Sequence, residues 1–201
     1  MSRSPASKGA ATRDLIVSRA LDVVHERGLD ALTIGTLADA AGMSKSGVFA
    51  HFGSREDLQL AVLDAAAKEF TDEVFAPAIR APRGVPRLRR LIDAWTQRTL
   101  RLGARRGCPI AAAAFEFDDR PGPVRDHIMA YLVHLRREIA RAVRMAVEAG
   151  QIHASVEPEQ IAFEVHGLML GFHFEVKLDG VERATARVQT AVERLLASLL
   201  I

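Results

Sequence analysis

Ser44-Lys45-Ser46-Gly47, followed by Phe49 and His51, bring two short hydroxyls, a cation and an imidazole together in one short stretch of this 201-residue chain. Side chains of this kind meet base edges and phosphates when a helix presents them outward. Cys108 is the single cysteine. It follows Arg105 and Arg106 and precedes Pro109 at a helix start, an electropositive setting of the kind that activates thiols. His127 and His134 lie seven apart, as do His166 and His173, so each pair shares a helix face. Metal-binding pairs on a helix sit three or four apart, and no metal site is assigned. Glu116, Asp118 and Asp119 lack partners at comparable spacing and are read as loop and cap residues.

The elements that must position the first group are two short helices joined at Gly42. Thr33 is suited to cap the first, whose Ile34, Leu37, Ala38 and Ala41 fall at the 3.6-residue spacing of a buried face. Gly42 stops it where a left-handed backbone is needed, and the small Ala38 one turn earlier lets the next helix cross closely. Ser44 caps the second, which Met43, Val48 and Phe52 anchor, leaving Lys45, Ser46, Gly47, Phe49 and His51 on or near its exposed side. This is a helix-turn-helix, and it predicts sequence-specific binding to double-stranded DNA.

An amphipathic helix over 14–27 stopped by Gly28, then Leu32-Thr33-Ile34, then Leu37-Ala38-x-x-Ala41-Gly42-Met43-Ser44-Lys45-Ser46-Gly47-Val48-Phe49-x-His51-Phe52-x-Ser54-Arg55-Glu56-Asp57-Leu58, resembles the amino-terminal domain of TetR-family transcriptional regulators. The resemblance covers roughly the first sixty residues. It implies that Thr33 and Thr36 touch phosphates, and that Ser44, Lys45, Ser46, Gly47, Phe49, His51 and Arg55 belong to the DNA-binding surface. Two positions depart from the family pattern. Phe49 stands where the family usually has Tyr, removing a hydroxyl that often reaches a phosphate, and Arg55 replaces the common Lys with the charge kept. The resemblance further implies a carboxyl-terminal cavity for a small-molecule effector. Trp95, Phe115, Phe117, Met129, Tyr131, His134, Phe163, His166, Met169 and His173 fall in that region. A mixture of histidines and a tyrosine among apolar helices offers orienting hydrogen bonds that a purely structural core would have to satisfy at roughly 1–3 kcal/mol per unpaired group.

Composition sets the outer bounds. Hydrophobic residues make up 49% and charged ones 26% of the chain, enough for a packed core, and with only 5% aromatic residues and few β-branched runs the chain reads as all-α. The formal net charge of +2 is weak evidence for nucleic acid. Over residues 1–60 seven basic residues balance seven acidic ones, so the motif and not the charge carries the DNA assignment. The first thirteen residues carry three positive charges and no negative one, and read as a flexible basic arm. Nine arginines between Arg80 and Arg106 face a single acid, Asp93; the spacing of Arg83, Arg87, Arg90, Arg98, Arg101 and Arg105 suits a solvated helix face. With no membrane-length apolar run and no secretion signal, a cytoplasmic location is expected, without disulfides.

Ser54 is suited to start a fourth helix ending near Pro77, with no floppy linker, so that it serves as a lever between residues 14–60, the DNA-binding domain, and 61–201, the effector and dimerisation domain. Further helices follow, over roughly 86–103, from Pro109, from Val124 to Gly150, from Pro158 and after Gly180. The penultimate one is apolar nearly all round, and the last carries a stripe at Val181, Ala184, Val188, Val192, Leu195, Leu196 and Leu199. The resemblance implies that these two pair with their copies in a homodimer, placing Leu168, Phe172, Val188, Val192, Leu195, Leu196 and Leu199 at the interface. The expected function is a repressor that binds a palindromic operator and is released by an inducer of unidentified chemistry, with no cofactor, metal or catalytic residue. A ligand-independent DNA-binding protein with a dimerisation scaffold is the alternative. A Cys108-based sensor or enzyme ranks behind it, since no recognisable catalytic motif surrounds that thiol.

Overall fold

The computed structural model describes residues 5–103 and 106–201, so the first four residues of the basic arm and Arg105 lie outside the described residues. Within the described residues, ten α-helices and one π-helical turn follow one another: α1 Pro5–Arg27, α2 Ile34–Ala41, α3 Lys45–Phe52, α4 Arg55–Phe70, α5 Ala76–Ile79, α6 Val85–Leu102, α7 Pro109–Phe117, α8 Pro123–Glu148, α9 Pro158–Leu178 and α10 Val181–Leu199. Among the same residues the only β-pairing is an isolated antiparallel bridge between Ile152 and Leu200. The protein is all-α, with an amino-terminal helix-turn-helix and a carboxyl-terminal helical part.

Two compact units divide the chain. The first comprises residues up to Lys68 together with Gly107–Met129, and the second Glu69–Arg106 with Ala130–Ile201. In the first, Ile16, Ala20, Leu21 and Val24 of α1 are buried, as are Leu37 of α2, Val48 and Phe52 of α3, and Leu58, Val62 and Ala66 of α4. Gly28 ends α1 at φ +82°, beside the Glu116 side chain of α7, and the Glu116 carboxylate accepts from the Asp30 backbone N–H at 2.8 Å. The loop before α7 is held to α1 twice: the Gly107 N–H donates to the His25 carbonyl at 3.0 Å, and His25 Nδ1 donates to the Gly107 carbonyl at 2.8 Å. In the second unit a continuous core runs through Phe70, Leu88, Ile92, Ile139, Val143, Val165, Met169 and Leu196.

Three sequence expectations give way. The helix expected to begin at Asp14 begins at Pro5, so residues 5–13 are helical and not a flexible arm; Pro suits the first helical turn, and three of those nine residues are alanines. The helix expected to run unbroken to Pro77 stops being α-helical at Phe70, and Thr71–Phe75 form a π turn in which the Ala76 N–H reaches the Thr71 carbonyl. Pro77 has no N–H, and its ring would press on the Glu73 carbonyl in a regular helix; widening the turn by one residue eases that clash. Finally, the arginine run is not one solvated face. Arg98 is buried, its Nε 2.8 Å from the Glu73 carboxylate and its guanidinium over the Phe70 ring at 5.7 Å, while Arg87 donates to the carbonyls of Ile79 and Ala81 and Arg89 pairs with Glu193.

Candidate nucleic-acid interface

Thr33 and Thr36 form a reciprocal cap at the start of α2. The Thr36 N–H donates to Thr33 Oγ1 at 3.0 Å, and the Thr33 N–H donates to Thr36 Oγ1 at 2.9 Å. Thr36 Oγ1 also lies 3.2 Å from the Ala31 carbonyl. Both hydroxyls thus have a structural task that accounts for them without DNA. Gly42 follows α2 at φ +63°, the left-handed conformation that the turn requires. Ser44 then caps α3 by accepting from the Gly47 N–H at 3.1 Å.

The cap sets the register of α3. Val48 and Phe52 turn inward, with the Arg13 guanidinium 4.8 Å from the Phe52 ring centre, while Ser44, Lys45, Ser46 and Phe49 face solvent. The Lys45 stem lies over Gly35 of α2, where a Cβ would stand 3.6 Å from Lys45 Cε. Phe49 is 54% exposed. His51 is half-buried.

Arg55 has a structural task as well. Its Nε donates to the Leu32 carbonyl at 2.9 Å and its Nη2 to the Asp30 carbonyl and carboxylate at 2.5 and 3.0 Å, so the guanidinium braces the α1–α2 loop while its side chain stays 45% exposed. Arg120 shares the same carboxylate at 3.2 Å. Arg120 first, and Arg55 after it, hold the Asp30 carboxyl below its usual range. These contacts join positions 23 to 90 residues apart, and no local motif announces them.

Helix spacing, turn, caps and exposed face together define a helix-turn-helix. A family model described as bacterial regulatory proteins, tetR family, matches residues 16–62, and one described as tetracyclin repressor-like, C-terminal domain, matches residues 84–192. The chain belongs to the TetR family. Among curated relatives it is 26% identical over 171 residues to the HTH-type transcriptional regulator TtgR of Pseudomonas putida, covering 81% of this chain and 78% of that protein. A TetR regulator from Chloroflexus aurantiacus superposes with a TM-score of 0.83 at 25% identity, covering 95% of both chains. AibR, solved in complex with isovaleryl coenzyme A and operator DNA, shares the fold at a TM-score of 0.72 and 21% identity, over 94% of this chain and 98% of that one. This TetR-family chain is a DNA-binding transcriptional regulator and not an enzyme, and none of its described helices is long and apolar enough to cross a membrane.

The TetR-like carboxyl-terminal region gathers some of the expected effector residues and separates others. Trp95 meets the edge of Phe70 at 5.0 Å and lies 6.1 Å from the His166 ring; Tyr131 also meets Phe70, at 6.5 Å, and Thr96 Oγ1 lies 3.9 Å from the Met169 sulfur. Burial, with Arg136 nearby, lowers the proton affinity of His166. Burial first, then Lys177 and Arg98, pushes His173 down to about 4. His134 faces solvent on α8, and Phe115 is 72% exposed because the α7 register that starts at Pro109 turns Ile110, Ala113 and Phe117 inward. The Phe117 ring packs in its own unit under the Arg120 guanidinium at 5.3 Å, and Met129 is half-buried. Phe163 is 60% exposed on the outer face of α9. These placements remove Phe115, His134 and Phe163 from an enclosed cavity within one chain.

Phe163 lines instead an open, largely apolar groove of about 680 Å³ between α9 and α10, with Leu168, Phe172, Val188 and Leu195. Gly167 and Gly171 leave open space on its α9 side. Val192, Leu196 and Leu199, expected at the same surface, are buried in the chain's own core, on the inward stripe of α10.

The His173 ring predicts an acid limb. Unfolded, the ring takes up its proton near 6.5; folded, only near 4. Between those values the unfolded chain binds the extra proton, so stability present above pH 6.5 is lost as the pH falls toward 4. His173→Gln is expected to recover roughly 1–2 kcal/mol of that loss, less than the full shift implies because the ring keeps some solvent contact. Urea unfolding at about pH 7 and about pH 4.5 checks it, and an unchanged pH dependence would refute the assignment.

Proposed function

We propose that the chain is a ligand-responsive repressor that binds a partly palindromic operator as a homodimer and is released by a small-molecule inducer, acting in the cytoplasm. Residues 14–60 carry the DNA contacts and 61–201 the effector and dimer contacts. The observation that carries this reading is the outward face of α3, where Lys45, Ser46 and the exposed Phe49 stand together on a helix anchored by Val48 and Phe52. Lys45 supplies the phosphate or guanine contact, and Phe49 an apolar contact of the kind that packs on a thymine methyl. Effector binding in the interior around Trp95, Tyr131, His166, Met169 and His173 is supported by the mixed polar and aromatic character of that cluster. The AibR complex supports it by showing one protein of this fold with an acyl thioester and operator DNA. A released state must bind the inducer more tightly than the DNA-bound state does, by roughly 5.5 kcal/mol for a nearly complete switch.

Selection of bound fragments from genomic DNA tests the reading and supplies the operator. On that operator Lys45→Ala is expected to weaken binding roughly ten-fold, and to reduce the salt slope by about one unit if Lys45 meets phosphate or relax sequence preference if it meets a base. Unchanged affinity at several salt concentrations would take Lys45 out of the interface. Enrichment of no sequence would defeat operator binding. Retention of the operator across a broad metabolite panel, with no thermal shift, would favour the ligand-independent scaffold.

A further inference from the structure

A second concavity, of about 400 Å³, lies within the carboxyl-terminal unit, away from the α9–α10 groove. Its apolar wall comes from Phe75 of the π turn, Ala78 of α5, Leu91 of α6 and Ala142 of α8, and its rim carries four guanidinium groups, Arg83, Arg87, Arg141 and Arg144. Two of these are already offset: Arg141 pairs with Glu138 at 3.6 Å and Arg144 with Glu159 at 2.5 Å. Arg83 and Arg87 have no carboxylate at ion-pair distance among the described residues. Arg87 is half-buried and fixed by the carbonyls of Ile79 and Ala81 at 3.0 Å each, contacts that orient its charge without neutralising it. The loop that bears Arg83 is fixed as well. Its Gly84 adopts φ +94° against the Gln151 side chain, where a Cβ would stand 2.0 Å from Gln151 Oε1, and the Val85 N–H donates to that same oxygen at 2.8 Å. Ile79, 64% exposed, adds an aliphatic lip.

We propose that this pocket is an accessory site for a small amphipathic carboxylate, distinct from the interior effector cluster. The carboxylate meets Arg83 and Arg87, and a short apolar body lies on Phe75, Leu91 and the Met145 side chain. The Arg87 guanidinium, preoriented by its carbonyl partners, and Arg83 on its fixed loop suit a carboxylate, which accepts forked donors in pairs, and the held Arg87 lowers the ordering cost of binding. The volume lies toward the small end of ligand sites and fits a compact molecule. Glu148, the remaining carboxylate of the rim, limits the site to low ligand charge, so a monoanion is favoured over a dianion. Because Phe75 belongs to the π turn, a bound ligand also steadies the turn that follows α4.

Octanoate, octan-1-ol and acetate are the probes, titrated into the full chain labelled with ¹³C at its methionine methyl groups. Octanoate is expected to bind saturably and to move the Met145 methyl resonance, leaving that of the interior Met169 in place. Arg83→Ala, at an exposed position, and Arg87→Gln should each weaken octanoate roughly ten-fold, the loss of one charge-assisted contact. Glu148→Gln should tighten it about two-fold. Octanol binding as well as octanoate, movement of Met169 without Met145, indifference to Arg83→Ala, or no saturation by about 10 mM would each overturn the proposal. Trp95→Ala should leave octanoate binding unchanged, so failure of the interior effector reading is told apart from failure of this one.

Discussion

Leu195→Arg is expected to yield a folded monomer that binds the operator roughly 10²- to 10⁴-fold more weakly than the parent, because each recognition helix then binds its half-site without a tethered partner. Leu195 is half-buried on the wall of the α9–α10 groove, so an arginine there projects from the chain without disturbing its core. Two-fold pairing would set like charges against each other or against the apolar strip of Phe163, Leu168 and Phe172. The neighbouring Leu196→Ala makes the contrast. Leu196 is 1% exposed and lies in the intrachain core, so its truncation should cost roughly 2–5 kcal/mol of stability and leave the assembly of the folded fraction intact. Light scattering and helix content by circular dichroism separate the two outcomes. A Leu195→Arg protein of undiminished mass would place the interface elsewhere.

The contrast between these two leucines also marks how far sequence reasoning reaches. A stripe at Val188, Val192, Leu195, Leu196 and Leu199 announces an apolar face, and the face is there. Adjacent leucines on a helix stand about 100° apart, however, and only the path of α9 decides which of them its own chain covers. The same ambiguity explains Phe163 and Phe115. Each is a large apolar residue in a helix otherwise rich in buried positions, and each lies on the outward side in the actual register. The helix-turn-helix was legible in detail because its signals are local: Thr33 with Thr36, Gly42, Ser44 with Gly47 and Ser54 with Asp57 act over three or four residues.

What escaped the sequence depends on distant partners. Arg55 carries the charge expected of a DNA contact, and the carbonyls of Asp30 and Leu32, more than twenty residues away, take up some of its donors. The π turn is legible only in part. Pro77 signals that the helix is disturbed, yet ending it, kinking it and widening it by one residue are equally good answers until the packing of Phe70, Val74 and Phe75 is known. The second pocket follows the same rule. Its arginines come from the Arg83–Arg87 stretch and from α8, and no linear pattern states that they share a concavity.

Arg98 offers the sharpest test of that distinction, since its spacing marks it as a solvated residue and its surroundings make it a buried one. Its side chain is 4% exposed, ion-paired to Glu73, 3.8 Å from Glu69 and stacked over Phe70. Arg98→Ala removes the charge pair, the stacking and the packing of the aliphatic stem together. Glu73 is not stranded in apolar surroundings, because it reaches solvent and keeps Arg101 at 2.7 Å, so the loss falls below that of breaking a fully buried pair. About 2–4 kcal/mol is expected. Arg98→Met, which keeps most of the volume, should cost roughly half as much, and Arg90→Ala, at an exposed position on the same helix, should stay within about 0.5 kcal/mol of the parent. Urea unfolding with an unchanged slope and a lower midpoint is the measurement. A second readout separates charge from packing. Arg98 is one of the cations that hold His173 in its neutral form, so in Arg98→Met the folded His173 ring should titrate at higher pH, and the acid limb, still beginning near 6.5, should end sooner and be shallower. A destabilised Arg98→Met protein with an unchanged acid limb would leave Arg98 a packing residue alone, and an Arg98→Ala protein as stable as the parent would return it to the solvated face.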